Sequence, residues 1–228
     1  MKSVLFDLDN TLYSERTYVE SGFKYISAYL SKKYDFIFDE VYSLVLDIFE
    51  KKGRGLVFNE TLEKLDIYSE TNLKTLIYLY RFHIPEIKFY DDSLESLQIL
   101  KKDFKLGLIT DGRVFVQKRK VEALNIENLF DTIIFTDILG SENWKPSKVP
   151  YEIALNLLNS NPEESVYIGD DPFKDFNAPK LLNMDSIQIK KEEVIDYWAK
   201  RGYKKVEPDY EINSLNEIYN LKGLNIFK

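Results

Sequence analysis

Two aspartates stand two residues apart at the tip of the apolar run Val4-Leu5-Phe6. The stretch reads VLFDLDNT and presents Asp7, Asp9 and Thr11 in turn. A carboxylate at a buried strand end is costly unless something offsets it. Similar endings recur along the chain: LITDG carries Thr110, Asp111 and Gly112, and GDDPFKD carries Asp170, Asp171 and Asp175, while NWKPS between them carries Lys145. If these endings meet, two like charges about 4 Å apart repel by ~4 kcal/mol at an effective dielectric of about 20. That is comparable with a whole domain's stability of about 5–15 kcal/mol. A hard cation with oxygen ligands removes the conflict. Mg²⁺ fits best, because it accepts a few carboxylates while keeping waters and a substrate phosphate oxygen. Lys145 adds a second positive charge. The residue types therefore favour phosphoryl chemistry at an acidic site balanced by cations.

Other chemistries are excluded by what the chain lacks. It has no cysteine, so disulfides and thiolate nucleophiles are ruled out. His83 is the only histidine, and it heads HIPEIKFY outside any ligand spacing, which predicts a structural role. Serine–histidine triads and most zinc sites go with it. A formal net charge of −7 argues against a nucleic-acid surface, which favours a basic face. No run approaches the roughly 20 apolar residues of a membrane span, and no signal-peptide pattern precedes the first strand. The expectation is a cytoplasmic protein that meets neither nucleic acid nor membrane.

The elements that must position these residues read as an α/β fold. Apolar or β-branched runs predict strands over Val4–Leu8, Leu106–Thr110, Thr132–Thr136, Ser165–Gly169 and Ser186–Ile189. Helical patterns lie between the later strands. One spans Asp92–Lys102, where Asp92 and Glu95 have capping-box spacing. Another follows Pro150, with Tyr151, Ala154, Leu155 and Leu158 on one face. Such alternation predicts a Rossmann-like parallel sheet with helices on both faces, binding its ligand at the strands' carboxyl ends. Residues 14–90 are too long for one crossover helix and read as an inserted α-helical domain, its aromatics forming its own core. The expected division is thus 1–13 with 91–228 as the α/β core, and 14–90 as the insertion. The chain ends in the polar amphipathic stretch KKEEVIDYWAKRG and a short closing element, PDYEINSLNEI.

DLDNT, a Thr ending the second strand, a Lys followed by Pro, and GDDPFKD, in this order, resemble the motifs of the haloacid-dehalogenase-like (HAD) superfamily. The likeness runs from residue 3 to about 189, and the insertion resembles that superfamily's helical-cap branch. The resemblance implies roles. Asp7 would be the nucleophile that forms an aspartyl-phosphate. Asp9 would protonate the leaving oxygen and later take a proton from water, which calls for a carboxyl able to hold a proton near neutral pH. Thr110, with Asp111, Gly112 and nearby amides, would meet the phosphoryl oxygens, and Lys145 would neutralise charge there. Asp7, the backbone carbonyl of Asp9, and Asp170 would bind Mg²⁺. Asp175, with or without Asp171, would orient Lys145 or a water held at the metal; a plain turn residue before Pro172 is the other reading of Asp171. Thr11 would support the loop.

The second aspartate of the first motif points to phosphate instead of halide. The implied enzyme is an Mg²⁺-dependent phosphatase acting on a small phosphorylated metabolite, a sugar phosphate or nucleoside monophosphate. A sugar-phosphate mutase shares every residue named and stays open, as does a scaffold that keeps the motifs without activity. A phospho-accepting receiver module uses an acceptor Asp, Mg²⁺, Thr and Lys, but lacks the second Asp and the insertion. A calcium loop from Asp7 fails, with Leu12 and Tyr18 where Gly and Glu are required. Within the insertion, KKGRG offers Arg54 between two glycines, where a guanidinium could read a second anionic group. A solvated loop is the plainer reading there. Substrate and oligomeric state stay open at this point.

Overall fold

The computed structural model describes residues 2–191, 204–221 and 224. The chain divides into two compact units, Met1–Glu15 with Lys88–Lys228, and Arg16–Ile87.

The first unit is built on a six-stranded, wholly parallel sheet in the order β3-β2-β1-β4-β5-β6. The strands are β1 Ser3–Phe6, β2 Lys105–Thr110, β3 Thr132–Phe135, β4 Ser165–Gly169, β5 Asp185–Ile189 and β6 Tyr210–Ile212. Helices α5 Ser93–Leu100, α6 Val114–Leu124, α7 Val149–Leu158 and α8 Asn177–Leu182 make the crossovers. Side chains alternate across the pleat. Leu5, Ile109, Ile134 and Tyr167 point to one face, where they pack with Tyr151, Ala154, Leu155 and Leu158 of α7 and Ala178 of α8. The neighbouring positions Val4, Phe6, Leu108 and Ile168 are equally buried, and Phe6 meets Phe130 edge to face at 6.1 Å. The strand order reverses between β1 and β4, which marks the crevice at their carboxyl ends as the place for a ligand.

Three sequence expectations need correction. The first strand stops at Phe6, two residues early: Leu8 already opens a loop, its carbonyl accepting from the Leu12 N–H at 3.0 Å. The capping box at Asp92 and Glu95 does not form. Asp92 lies in a helical conformation and its side chain makes no cap bond to α5; instead it accepts from Ser214 Oγ at 2.6 Å and the Leu215 N–H at 2.7 Å. Within the closing element, Tyr210–Ile212 is a true sixth strand, paired with β5. From residue 192 on, KKEEVIDYWAKRG lies outside the described residues.

The second unit holds most of α1 Glu15–Tyr34, with α2 Phe38–Lys52, α3 Val57–Lys64 and α4 Glu70–Phe82. It has its own core, in which Val19, Phe23, Ile26 and Leu30 of α1 meet Val41, Val45, Ile48 and Phe49 of α2. The Phe23 and Phe49 rings pack edge to face at 5.5 Å, so these aromatics serve packing. His83 is buried beside the Tyr80 carbonyl at 2.6 Å and is structural. Arg54 is exposed on the loop between α2 and α3. Among the described residues no helix is long and apolar enough to cross a membrane.

Candidate active site

Several groups of the first unit's crevice stand at or just past a strand end. Asp7 follows β1, Thr110 ends β2, and Asp170 follows β4. Asp7, Asp170 and Asp175 are all buried, and one carboxylate oxygen from each lies within 4.8 Å of the others. Lys145 sits among them without solvent exposure, its Nζ 2.7 Å from Asp7 Oδ1 and 2.9 Å from Asp175 Oδ1. Lys174, from the turn after β4, reaches Asp7 Oδ2 at 3.3 Å. Both lysines are held charged: burial works against the ammonium, but the surrounding carboxylates outweigh it and raise each pKa.

Asp175 is a brace. Its Oδ1 takes Lys145 and the Tyr167 hydroxyl, and its Oδ2 accepts from the Asp171 N–H at 2.9 Å. Gly169 makes room for it, because a Cβ there would lie 2.5 Å from Asp175 Oδ2. Burial would raise the Asp175 pKa, yet Lys145 and Lys174 pull it below the ordinary value. Asp170 differs. Its Oδ1 is buried with no hydrogen-bond partner, and burial pushes its pKa well up. The turn reading of Asp171 fits its geometry: its Oδ1 accepts from the Phe173 N–H two residues on, at 2.9 Å. Burial moves its pKa to about 6.

Asp9 stands apart from this cluster. Its Oδ1 accepts from Lys120 Nζ at 2.7 Å and from the Tyr13 hydroxyl, and its Oδ2 accepts from Gln117 Nε2 at 2.9 Å. Burial favours the neutral acid, but the charge of Lys120 and the bonds from Lys120 and Tyr13 prevail, so its pKa is lowered. In the free site these partners thus favour the ionised form of Asp9, the opposite direction from a carboxyl that holds a proton near neutral pH.

Thr110 Oγ1 accepts from Gln117 Nε2 at 2.5 Å, which leaves its own O–H free to donate. Gly112 adopts φ 121° and lacks the Cβ that would press within 3.3 Å of the Gln117 amide carbon. Asp111 Oδ1 accepts from Thr136 Oγ1 at 2.7 Å and from the Lys145 N–H at 3.2 Å, tying the segments behind β2 and β3 together. Its Oδ2 is buried without a partner, and burial raises its pKa. Thr11 is fully buried, but its Oγ1 makes no hydrogen bond.

Thus the first unit gathers Asp7, Asp9, Thr110, Asp111, Lys145, Asp170, Asp171 and Asp175, while Arg54 belongs to the second unit. Sequence reasoning missed Tyr13, Gln117, Lys120, Tyr167 and Lys174. For two of them a signal was present. Gln117, Lys120, Val121 and Leu124 form the buried stripe of α6, so a glutamine and a lysine occupy core-facing helical positions.

A sequence model of the haloacid dehalogenase-like hydrolases matches residues 4–189. Glyceraldehyde 3-phosphate phosphatase of Methanocaldococcus jannaschii is 29% identical over 97% of this chain and 96% of its own length. Pyrophosphatase PpaX of Bacillus mycoides is 25% identical over 96% and 95%. In fold, the chain is similar to the HAD-hydrolase YfnB of Bacillus subtilis, with a TM-score of 0.68, 15% identity, and coverage of 98% of this chain and 99% of that one.

Proposed function

This chain belongs to the haloacid dehalogenase-like hydrolase family, and from that membership we propose that it is a phosphatase acting on a small phosphate monoester through Asp7. The observation that carries the proposal is the separation of two aspartates two residues apart into unlike surroundings. Asp7 lies between the ammonium groups of Lys145 and Lys174, while Asp9 is held by Tyr13, Gln117 and Lys120. Such a split suits one carboxylate that attacks and one that handles protons.

In the first step Asp7 attacks phosphorus, the bond to the leaving oxygen breaks, and Asp9 gives that oxygen a proton. In the second, water attacks the aspartyl-phosphate and yields a proton to Asp9. The bond between phosphorus and Asp7 then breaks, and phosphate leaves. The proton taken from water in one turnover is the one delivered to the next leaving group. An anionic phosphate arriving beside Asp9 favours its protonated form, opposing the pull of Lys120. Lys145 and the Thr110 hydroxyl stabilise charge on the phosphoryl oxygens.

The residues also fit Mg²⁺. The buried Asp170 Oδ1 has no protein partner, and Asp7 contributes a second hard oxygen nearby. Asp7, Asp170 and the backbone carbonyl of Asp9 would hold the ion, with Asp175 already committed to Lys145 and the Asp171 N–H. When bound, Mg²⁺ supplies positive charge to the nucleophile and the phosphoryl group.

The named substrates of the relatives, glyceraldehyde 3-phosphate and pyrophosphate, put a triose phosphate and pyrophosphate first in a substrate panel, with other sugar phosphates after them. The test is phosphate release from that panel with Mg²⁺ and with EDTA. Asp7→Asn is expected to lower kcat by roughly 10³-fold or more while the far-ultraviolet spectrum is kept. Near wild-type turnover of p-nitrophenyl phosphate by Asp7→Asn would defeat the proposal, and isomerised sugar phosphate without phosphate release would reveal a mutase.

A further inference from the structure

Lys120 and Gln117 are three residues apart on α6, so their side chains leave the helix on one face. Both are buried, at 3% and 1% exposure. A lysine in such a position usually marks a specific partner, and here the partner is Asp9, with one donor on each oxygen. An ionised carboxylate has about four lone-pair positions. Lys120 and Tyr13 take both on Oδ1, and Gln117 takes one on Oδ2. One position on Oδ2 remains for a reacting proton. The Gln117 amide also donates to Thr110 Oγ1, so one side chain fixes both the carboxylate and the hydroxyl across from it.

We propose that Gln117 and Lys120 are positioning residues for the acid/base step, locking the Asp9 carboxylate so that Oδ2 exchanges the proton, in register with the Thr110 hydroxyl. This rests on the acid/base reading of Asp9. The pair acts through Asp9 and Thr110 and touches no reacting atom itself.

The test is a double-mutant cycle on the Mg²⁺-loaded full chain, with p-nitrophenyl phosphate and glycerol phosphate as probes. Lys120→Met should lower kcat for glycerol phosphate by about 10–100-fold with KM nearly unchanged. The loss should be smaller for p-nitrophenyl phosphate, whose leaving group needs little protonation. Lys120→Arg should recover most of it. In an Asp9→Asn background Lys120→Met should cost nothing further, because its route to the reaction is already gone. A full loss in that background, or a loss confined to KM, overturns the inference while leaving Asp9 its role. An Asp9→Asn protein as active as wild type removes the acid/base reading itself, and the inference with it. Should Lys120→Met fail to fold, Gln117→Leu enters the same cycle with the same criteria.

Discussion

Asp7 accepts two ammonium groups, Lys145 on Oδ1 and Lys174 on Oδ2, and the second of these carries a consequence for the metal. Lys174 feels Asp7, Asp175, Asp170 and Asp111 together, so it offsets charge in the carboxylate cluster before any divalent ion arrives. Two cations drawn to one group of carboxylates oppose each other. Lys174→Met is therefore expected to destabilise the EDTA-treated protein by roughly 3 kcal/mol, the usual cost of leaving buried carboxylates short of a partner. The same change should enlarge the gain in Tm on adding Mg²⁺. Thermal melts of both proteins with EDTA and with Mg²⁺ measure both effects; an unchanged gain would mean that the lysine and the ion do not compete. At this scale the sequence singled out Asp7, Thr110 and Asp170 because each ends or follows a strand, where polar side chains interrupt an apolar run. Lys174 was passed over inside GDDPFKD, since a lysine in a polar turn looks solvated until the chain folds it back onto Asp7. Tyr13 and Tyr167 were hidden for the opposite reason, as aromatics whose hydroxyls matter only once their partners are placed.

Elements differ in how far local pattern decides them. Five of the six strands were legible because four to six apolar or β-branched residues suffice to mark a doubly buried strand. β6 has only Tyr210, Glu211 and Ile212, too short for a periodicity, and exists because β5 offers it an edge. The Asp92 capping box failed for a related reason: local spacing offered one use of the carboxylate and tertiary structure supplied a better one. Asp92 fastens the C-terminal turn Leu215–Asn220 to the start of α5 through Ser214 and the Leu215 N–H. Burial alone would raise its pKa, but these bonds and Lys191 bring it below the ordinary value. A depressed carboxylate pKa adds stability above the unfolded value, which is lost as pH falls through the folded one. Asp92→Ala should thus cost about 2 kcal/mol at neutral pH, and the gap to wild type should close below about pH 4. Urea titrations at several pH values check this, and a gap that persists in acid would assign the cost to packing. Hydrogen exchange should quicken over residues 214–220 in the variant. Gly169 makes the matching case within the site, where Gly169→Ala should push Asp175 off Lys145.

The whole molecule is two units with separate cores, one assembled on the sheet by Leu5, Ile109, Tyr167 and α7, the other among four helices by Phe23, Phe49 and their neighbours. The expected insertion over residues 14–90 rests on length and pattern together, because 77 residues exceed any single crossover between β1 and β2 and their pattern is helical. Every residue that would hold Mg²⁺ lies in the first unit, contributed by segments more than 160 positions apart in sequence, Asp7 and Asp170. An ion that binds only the folded arrangement stabilises it by mass action, about 2.7 kcal/mol at 100 times its Kd. For a unit of this size that corresponds to a Tm higher by roughly 5–10 °C, reversed by EDTA. Asp170→Asn should abolish the gain, since it replaces a buried, unpartnered carboxylate of the Asp7–Asp170–Asp175 cluster by an uncharged amide. Hydrogen exchange locates the effect: Mg²⁺ should slow the amides around residues 7–9 and 168–175, which surround the carboxylates, and leave the core of Arg16–Ile87 unchanged. An equal gain in Asp170→Asn, or protection confined to the helical unit, would mean that the ion binds elsewhere and that the buried carboxylates of β1 and β4 are held by lysines alone.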